Sequence, residues 1–161
     1  DILESYPHLM VMKSISKSYG VPGLRLGVFA SSDKALIARI RKEVSIWNIN
    51  SFAEFYLQIY GKYENDYKRA CEKFIAERET FYEELKSIPY LRVFPSKANY
   101  FMCELIDKYT SAELTQRLID NDVLISNCGL KRNMSGRQLI RLAVRSREDN
   151  SRLVNILKAL A

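Results

Sequence analysis

A lysine, two serines and an arginine lie close together in the segment SISKSYGVPGLRLG, residues 14–27. Lys17 carries an amine that attacks carbonyl groups when it is deprotonated and then forms Schiff bases. Ser14, Ser16 and Arg25 add hydroxyl groups and a guanidinium fork, which are groups that bind phosphate. The glycines allow the backbone to turn tightly and to approach a ligand closely. The segment therefore predicts a site that binds a phosphate beside a reactive amine.

Two other interpretations of this segment are open. Ser14 and Lys17 also have the S-x-x-K spacing of penicillin-binding acyl enzymes, in which the serine is the nucleophile. The sequence contains neither the K-T-G nor the S-D-N element that accompanies that motif. The segment could also be a glycine-rich turn whose lysine simply lies on the surface. The preceding strand-like run and the glycine and proline residues that follow favour the amine and phosphate site.

The sequence predicts strands and helices on both sides of the segment. The apolar run Leu9–Met12 predicts a buried strand that ends at the segment, and GLRLGVFAS predicts a second strand. Asp33 is predicted to cap the helix that follows. Apolar residues at three- and four-residue spacing predict helix over residues 51–87, broken near residues 61–65 and ended by Pro89. Aromatic residues at helical spacing indicate packing rather than stacking on a ligand: Tyr56, Tyr60 and Tyr63, with Trp47 nearby.

The chain after Pro89 has the pattern of a small α/β unit. The segments LRVF, NYFMCEL, DVLIS and QLIRLAV predict strands. Thr110 and Glu113 form a capping-box pair that opens one helix. Asp149 or Asn150 is predicted to lead into the last helix. The alternation of strands and helices assigns the chain to the α/β class.

Arg141 is a second candidate for chemistry because it lies inside the strand-like segment QLIRLAV. Ile140, Leu142 and Val144 face one way in such a strand, and Arg141 faces the other. If Arg141 is buried there, it needs a partner or a ligand, because an unpaired buried charge is costly. The alternation therefore predicts either a ligand-binding arginine or an arginine on an exposed face.

Composition excludes several other classes of function. The 161 residues are 47% hydrophobic and 27% charged, with a net charge of +6. The basic residues are mixed with acidic ones, as on a solvated helix, so we expect no nucleic-acid binding. No apolar run reaches the roughly 20 residues of a membrane helix. Cys71, Cys103 and Cys128 form no CxxC pair, which is typical of reduced thiols in a cytoplasmic protein. His8 is the only histidine, and no metal is expected.

The segment SISKSYGVPGLRLG closely resembles the cofactor-lysine segment of the class I/II aminotransferases, which are fold-type I pyridoxal-phosphate enzymes. Within them it is most similar to the histidinol-phosphate aminotransferases and threonine-phosphate decarboxylases. FPSKANYFMCEL resembles the first strand of their small domain, and LIRLAVRSREDNSRLV resembles its last strand and helix. The resemblance implies the end of the large domain at residues 1–50, an interdomain helix region at 51–88, and a small C-terminal α/β domain at 89–161.

The resemblance also implies a role for each residue of the motif. Lys17 matches the lysine that forms a Schiff base with pyridoxal 5′-phosphate and moves the proton at the substrate Cα. Ser14, Ser16 and Arg25 match the anchors of the cofactor phosphate. These four residues are therefore the expected cofactor site.

Substrate-binding roles are implied in the second half of the chain. Arg141 matches the arginine that binds the substrate α-carboxylate, and Asn99 falls where relatives place a residue near the site. Many relatives carry an arginine at the position of Ser126 that binds the far end of the substrate. Its absence argues against histidinol phosphate as the substrate, and Arg132 or Arg137 are the candidates to take the place of the missing arginine.

The implied activity is transfer of an amino group between an amino acid or amino-phosphate and a 2-oxo acid. Loss of the carboxylate instead of the Cα proton would make the protein a decarboxylase, and a non-catalytic dimerisation or partner-binding module is a third possibility. In relatives, the residues around the cofactor ring precede the lysine by more than the 16 residues present here. We therefore expect the C-terminal half of a longer enzyme, inactive alone and a homodimer when intact.

Overall fold

The computed structural model describes residues 2–129, 131–134 and 136–161. The chain divides into two compact units, Asp1–Arg69 and Ala70–Ala161. In the part of the chain that is described, no helix is long and apolar enough to cross a membrane.

The first unit contains a two-stranded antiparallel ribbon and several helices. Its elements, with the long helix that begins in it, are α1 Ile2–Ser5, β1 Met10–Lys13, α2 Ile15–Ser18, β2 Val28–Ser31, α3 Lys34–Glu43, α4 Ser51–Tyr60 and α5 Glu64–Lys86. Single 3-10 turns lie at Pro22–Leu24 and Gly61–Tyr63. In the ribbon, Met12 of β1 lies opposite Phe29 of β2.

The strand predicted before the lysine segment is present, but it is not buried. All four residues of β1 are exposed. Its single partner is β2, and a two-stranded ribbon on its own buries little surface. The second predicted strand begins only at Val28, because Pro22–Leu24 forms a 3-10 turn instead.

The helix signals of the first unit are confirmed. The Asp33 side chain accepts the Leu36 N–H and caps α3. The helix predicted over residues 51–87 is broken where expected, since the 3-10 turn Gly61–Tyr63 separates α4 from α5.

The second unit is a four-stranded antiparallel sheet packed against helices. Its strands are β3 Leu91–Val93, β4 Tyr100–Leu105, β5 Ser126–Asn127 and β6 Leu139–Ala143, in the order β3-β4-β6-β5. Its own helices are α6 Ser111–Ile119 and α7 Arg147–Ala159. The core includes Phe81 and Leu85 of α5, Phe101 and Cys103 of β4, Ile140 and Leu142 of β6, Leu114 of α6 and Leu157 of α7.

Two boundaries in this unit differ from the prediction. The segment DVLIS forms a strand only at its end, in β5. Helix α7 begins at Arg147 with Ser146 as its cap, earlier than the predicted Asp149 or Asn150. The capping box of Thr110 and Glu113 is present as predicted. The mixed α/β architecture confirms the expected fold class.

Candidate active site

The lysine segment begins directly at the end of β1 and continues through α2. Ser14 is the N-cap of α2, with an extended backbone, and its side chain makes no capping hydrogen bond. Lys17 lies in the last turn of this helix and is exposed. The amine of Lys17 is therefore accessible, and the Ser14 hydroxyl is not used to cap the helix.

Ser16 is buried and joins the two ends of the segment. Its Oγ accepts the Leu26 N–H at 2.6 Å and donates to the Leu26 carbonyl at 3.1 Å. The Ser16 N–H also donates to the Leu26 carbonyl, at 3.1 Å. The hydroxyl proton is thus used within the protein, so Ser16 fixes the shape of the loop. Its expected contact with a phosphate stays a prediction.

Arg25 has a left-handed backbone, with φ 56° and ψ 37°. For a residue with a Cβ this conformation costs about 1–2 kcal/mol. Its Nη1 donates to the Pro22 carbonyl at 3.1 Å, and the side chain is exposed. Unusual backbone conformations of this kind cluster at functional sites. The strain supports a functional role for Arg25.

Two residues that sequence reasoning did not single out hold this segment from outside. The Asn50 side chain donates through Nδ2 to the Leu24 carbonyl at 3.0 Å, and Tyr67 donates its hydroxyl to the Ser18 carbonyl at 2.8 Å. Asn50 carried a local signal, because asparagine before a helix predicts an N-cap. No signal in the sequence predicts contacts over 26 and 49 residues.

An aromatic cluster lies beside the lysine segment. The Tyr19 ring contacts those of Tyr60 and Tyr67, with centroids 4.8 and 4.7 Å apart. Burial, together with a side-chain hydrogen bond between Tyr60 and Tyr19, raises the pKa of Tyr60 to about 12. The expected packing role is present for Tyr60, whereas Trp47 is 89% exposed.

Arg141 lies on the outer face of the second unit's sheet. Its neighbours Ile140 and Leu142 are fully buried on the other face, as the alternation predicts. Arg141 lies opposite Met102 on one side and opposite Ser126 on the other. Its side chain is exposed, so the argument from an unpaired buried charge does not apply.

The immediate surroundings of Arg141 include aromatic and amide groups. The Arg141 Cζ lies 5.2 Å from the centroid of the Tyr100 ring, at a distance typical of a cation–π contact. Asn99 directly precedes β4, is exposed, and accepts the Val144 N–H through its main-chain carbonyl. Asn99 thus lies just before β4, whose neighbouring strand β6 carries Arg141.

A separate cluster of charges occupies the other end of this face. Glu104 accepts a hydrogen bond from the Arg137 Nε at 2.9 Å and pairs with Arg92 at 3.3 Å. The Arg137 guanidinium holds the pKa of the Glu104 carboxyl below its usual value. Arg137 is therefore already engaged, which weakens it as a substitute for the arginine that Ser126 replaces. Arg132 is exposed.

The candidate residues thus form two groups. Ser14, Ser16, Lys17 and Arg25 share one loop of the first unit, while Asn99 and Arg141 share one sheet of the second. Among the described residues, no group of three or more histidine, cysteine or acidic side chains could hold a metal ion. The cysteines are unpaired, and burial raises the pKa of the Cys103 thiol to about 12.

Solved structures with this fold are fold-type I pyridoxal-phosphate enzymes. A decarboxylase from Sulfurospirillum multivorans matches with a TM-score of 0.87 and 28% identity, over 99% of this chain and 45% of that one. The histidinol-phosphate aminotransferase from Clostridium acetobutylicum matches with a TM-score of 0.87 and 28% identity, over 98% of this chain and 47% of that one.

The sequence comparisons lead to the same family. Residues 1–157 match the family model of aminotransferase class I and II, and the chain belongs to this family. It is 33% identical over 159 residues to the threonine-phosphate decarboxylase of Salmonella typhimurium, covering 97% of this chain and 42% of that protein. The chain spans less than half the length of the relatives named here.

The family's cofactor is pyridoxal 5′-phosphate. Its functional groups are an aldehyde and a phosphate dianion. The loop of the first unit carries an exposed amine at Lys17, a hydroxyl at Ser14 that caps nothing, and a guanidinium at Arg25. This donor set fits the cofactor.

Proposed function

We propose that Lys17, Ser14 and Arg25 bind pyridoxal 5′-phosphate on a loop whose shape Ser16 fixes, and that the protein transfers the amino group of an amino acid or amino-phosphate to a 2-oxo acid. The observation that carries the proposal is the loop itself, whose two ends are joined through Ser16 and Leu26. These hydrogen bonds close the loop that carries both the exposed amine of Lys17 and the strained Arg25.

Each residue of the loop has a distinct task. Pyridoxal phosphate, when bound, supplies an aldehyde for amines and a ring that withdraws electrons from the substrate Cα. Lys17 is the base and acid that moves the proton at that Cα. Ser14 and Arg25 bind the phosphate through a hydroxyl and a charge-assisted fork. Ser16 supports both by holding Leu26.

Arg141 is proposed to bind the substrate α-carboxylate. Its guanidinium is exposed and offers two parallel N–H donors, which match a carboxylate. The adjacent Tyr100 ring limits the directions that the guanidinium can take. Asn99, which directly precedes the neighbouring strand β4, is proposed to contact the substrate as well. Orientation of the substrate selects which bond at Cα is broken.

Decarboxylation is the second candidate reaction. It is favoured by the 33% identity to a threonine-phosphate decarboxylase and by the match to the Sulfurospirillum decarboxylase. The two reactions are distinguished by their products. Purified full-length protein is given phosphorylated amino acids together with a 2-oxo acid as the acceptor of the amino group. An aminotransferase should convert the phosphorylated amino acid to its 2-oxo acid and the acceptor to an amino acid, whereas a decarboxylase should release carbon dioxide and leave the acceptor unchanged.

The binding proposal is tested by borohydride reduction of the full-length protein with pyridoxal 5′-phosphate, followed by peptide mapping. A pyridoxyl mass is expected on Lys17 and is lost in Lys17→Ala. Lys13→Ala is the matched control, since Lys13 is an exposed lysine of the adjacent strand. A label on Lys13 or on no residue of the segment would refute the proposal.

We further propose that the intact protein is a cytoplasmic homodimer. Support comes from the first unit, where Ile46, Trp47, Phe52 and Phe55 are large apolar residues that are strongly exposed. Large apolar side chains exposed close together in the sequence support contact with further protein. Sedimentation of the full-length protein tests the dimer, and a monomer at micromolar concentration would refute it.

A further inference from the structure

We propose that Asn50 is a positioning residue that acts on the phosphate through Arg25. By holding the Leu24 carbonyl, it keeps the next residue, Arg25, in the left-handed conformation that presents its guanidinium. The inference rests on the proposed function, because it requires Arg25 to bind the cofactor phosphate.

Both ends of the Asn50 amide are used. Its Oδ1 accepts the Ala53 N–H at 2.9 Å and so caps α4. Its Nδ2 donates to the Leu24 carbonyl at 3.0 Å. Because the helix engages the oxygen, the amide nitrogen is directed to Leu24. One side chain therefore links the start of a helix to the turn that precedes Arg25.

The backbone of Arg25 is held on both sides by side chains of other residues. Before it, Asn50 binds the Leu24 carbonyl. After it, Ser16 binds the N–H and the carbonyl of Leu26. The 3-10 turn Pro22–Leu24 is too short to hold its own last carbonyls, since the groups at a helix end lack partners within the helix. The bond from Asn50 supplies one.

Because the backbone of Arg25 is strained, its conformation depends on the hydrogen bond from Asn50 to Leu24. A left-handed conformation is unfavourable for arginine, so the loop relaxes to another backbone when its supports are removed. One hydrogen bond of ordinary strength changes such an equilibrium by roughly three- to tenfold. Loss of the Asn50 donor is therefore expected to weaken binding of the cofactor phosphate by about that factor.

The experiment compares pyridoxal 5′-phosphate with pyridoxal, which lacks the phosphate, by spectroscopic titration of the full-length protein. Asn50→Ser keeps a good N-cap but cannot reach Leu24. Asn50→Asp keeps the cap oxygen at nearly the same shape and replaces the donor with an oxygen. Both variants are expected to raise the dissociation constant for pyridoxal 5′-phosphate about three- to tenfold, with a change below about twofold for pyridoxal.

Two controls separate positioning from general damage. Asp33→Ser changes the cap of α3 in the same unit and should alter neither dissociation constant. In an Arg25→Ala background, Asn50→Ser should have no further effect on phosphate binding, because the residue through which Asn50 acts is gone.

Equal weakening of both ligands, or an undiminished effect of Asn50→Ser without Arg25, would overturn the inference. Failure of the proposed function has a different signature. Wild-type protein would then bind pyridoxal and pyridoxal 5′-phosphate equally, or bind neither, and the inference would fall with it.

Discussion

The two units of the chain differ in how many apolar side chains each of them buries. Nearly all of the buried apolar residues described here lie in the second unit, and the first contributes Leu26 and Ala53. The first unit instead exposes large apolar side chains, among them Met12 at 83% and Phe52 at 80%. The second unit therefore has a core of its own, whereas the first does not.

This difference extends to the candidate site residues. Arg141 is placed by a sheet strand whose alternate residues are buried in the core. Lys17 and Arg25 are placed by a few hydrogen bonds between main-chain atoms and the side chains of Ser16, Asn50 and Tyr67. Packing is distributed over many contacts, so the sheet tolerates the loss of one. The lysine loop depends on each bond separately.

The largest expected effect contrasts one phenylalanine from each unit. Phe101→Ala removes a buried ring that packs on Phe81 and Tyr82, and should lower the free energy of unfolding by about 3–5 kcal/mol. Phe52→Ala, its matched control in the first unit, should cost less than about 0.5 kcal/mol. Urea unfolding of the 161-residue chain measures both. Equal losses would show that the first unit has a packed core in solution.

A buried polar residue gives the next largest effect. Asn150 accepts the Arg145 N–H and donates to Glu77 at 2.7 Å, and it is 1% exposed. Asn150→Ala removes these hydrogen bonds from a buried site and should destabilise the second unit by about 1–3 kcal/mol. Asn121→Ala, at an exposed site, is the control and should be near neutral. Urea unfolding measures both variants. An unchanged stability of Asn150→Ala would contradict the hydrogen bonds of Asn150 with Arg145 and Glu77.

The third prediction tests the lysine loop. Tyr67→Phe removes only the hydroxyl that binds the Ser18 carbonyl, and should destabilise the loop locally by at most about 1 kcal/mol. Hydrogen exchange over residues 14–20 should accelerate about fivefold, with no change in the second unit. Tyr63→Phe, at a half-exposed ring, should leave the exchange unchanged. Faster exchange in both variants would indicate an unspecific effect of the substitution.

The smallest effect is a dependence on pH within the second unit. Hydrogen bonding to Arg137 lowers the pKa of Glu104 from its ordinary value of 4.5. A lowered pKa means that this stabilisation is complete above pH 4.5 and is lost as the pH falls through the lowered value. The stability difference between wild type and Glu104→Gln should therefore be constant above about pH 5.5 and should shrink below 4.5. A difference that is unchanged at pH 3 would contradict it.

Local signals in the sequence predicted the fold well. The Asp33 cap, the capping box at Thr110 and the alternation around Arg141 each depend on residues within one element. The exposure of β1 was not predicted, because burial depends on what packs against a strand. The predicted strand DVLIS is longer than the observed one. Its apolar residues are typical of a strand, but only Ser126 and Asn127 pair with β6.

The sequence motif predicts the types of the site residues, and their roles stay a prediction; it does not predict the residues that support them. The motif identified Lys17, Ser14, Ser16 and Arg25, while the left-handed backbone of Arg25 and the bond from Asn50 were not expected. Such features arise when residues distant in sequence meet. Spacing within the motif carries no information about them.

The left-handed backbone at Arg25 has a consequence for protein engineering. Glycine adopts this conformation without a steric penalty, so Arg25→Gly relieves the strain and removes the guanidinium together. A library screened only for heat resistance would therefore enrich variants that have lost this side chain. Under the proposed function, position 25 is therefore to be kept constant when the protein is stabilised.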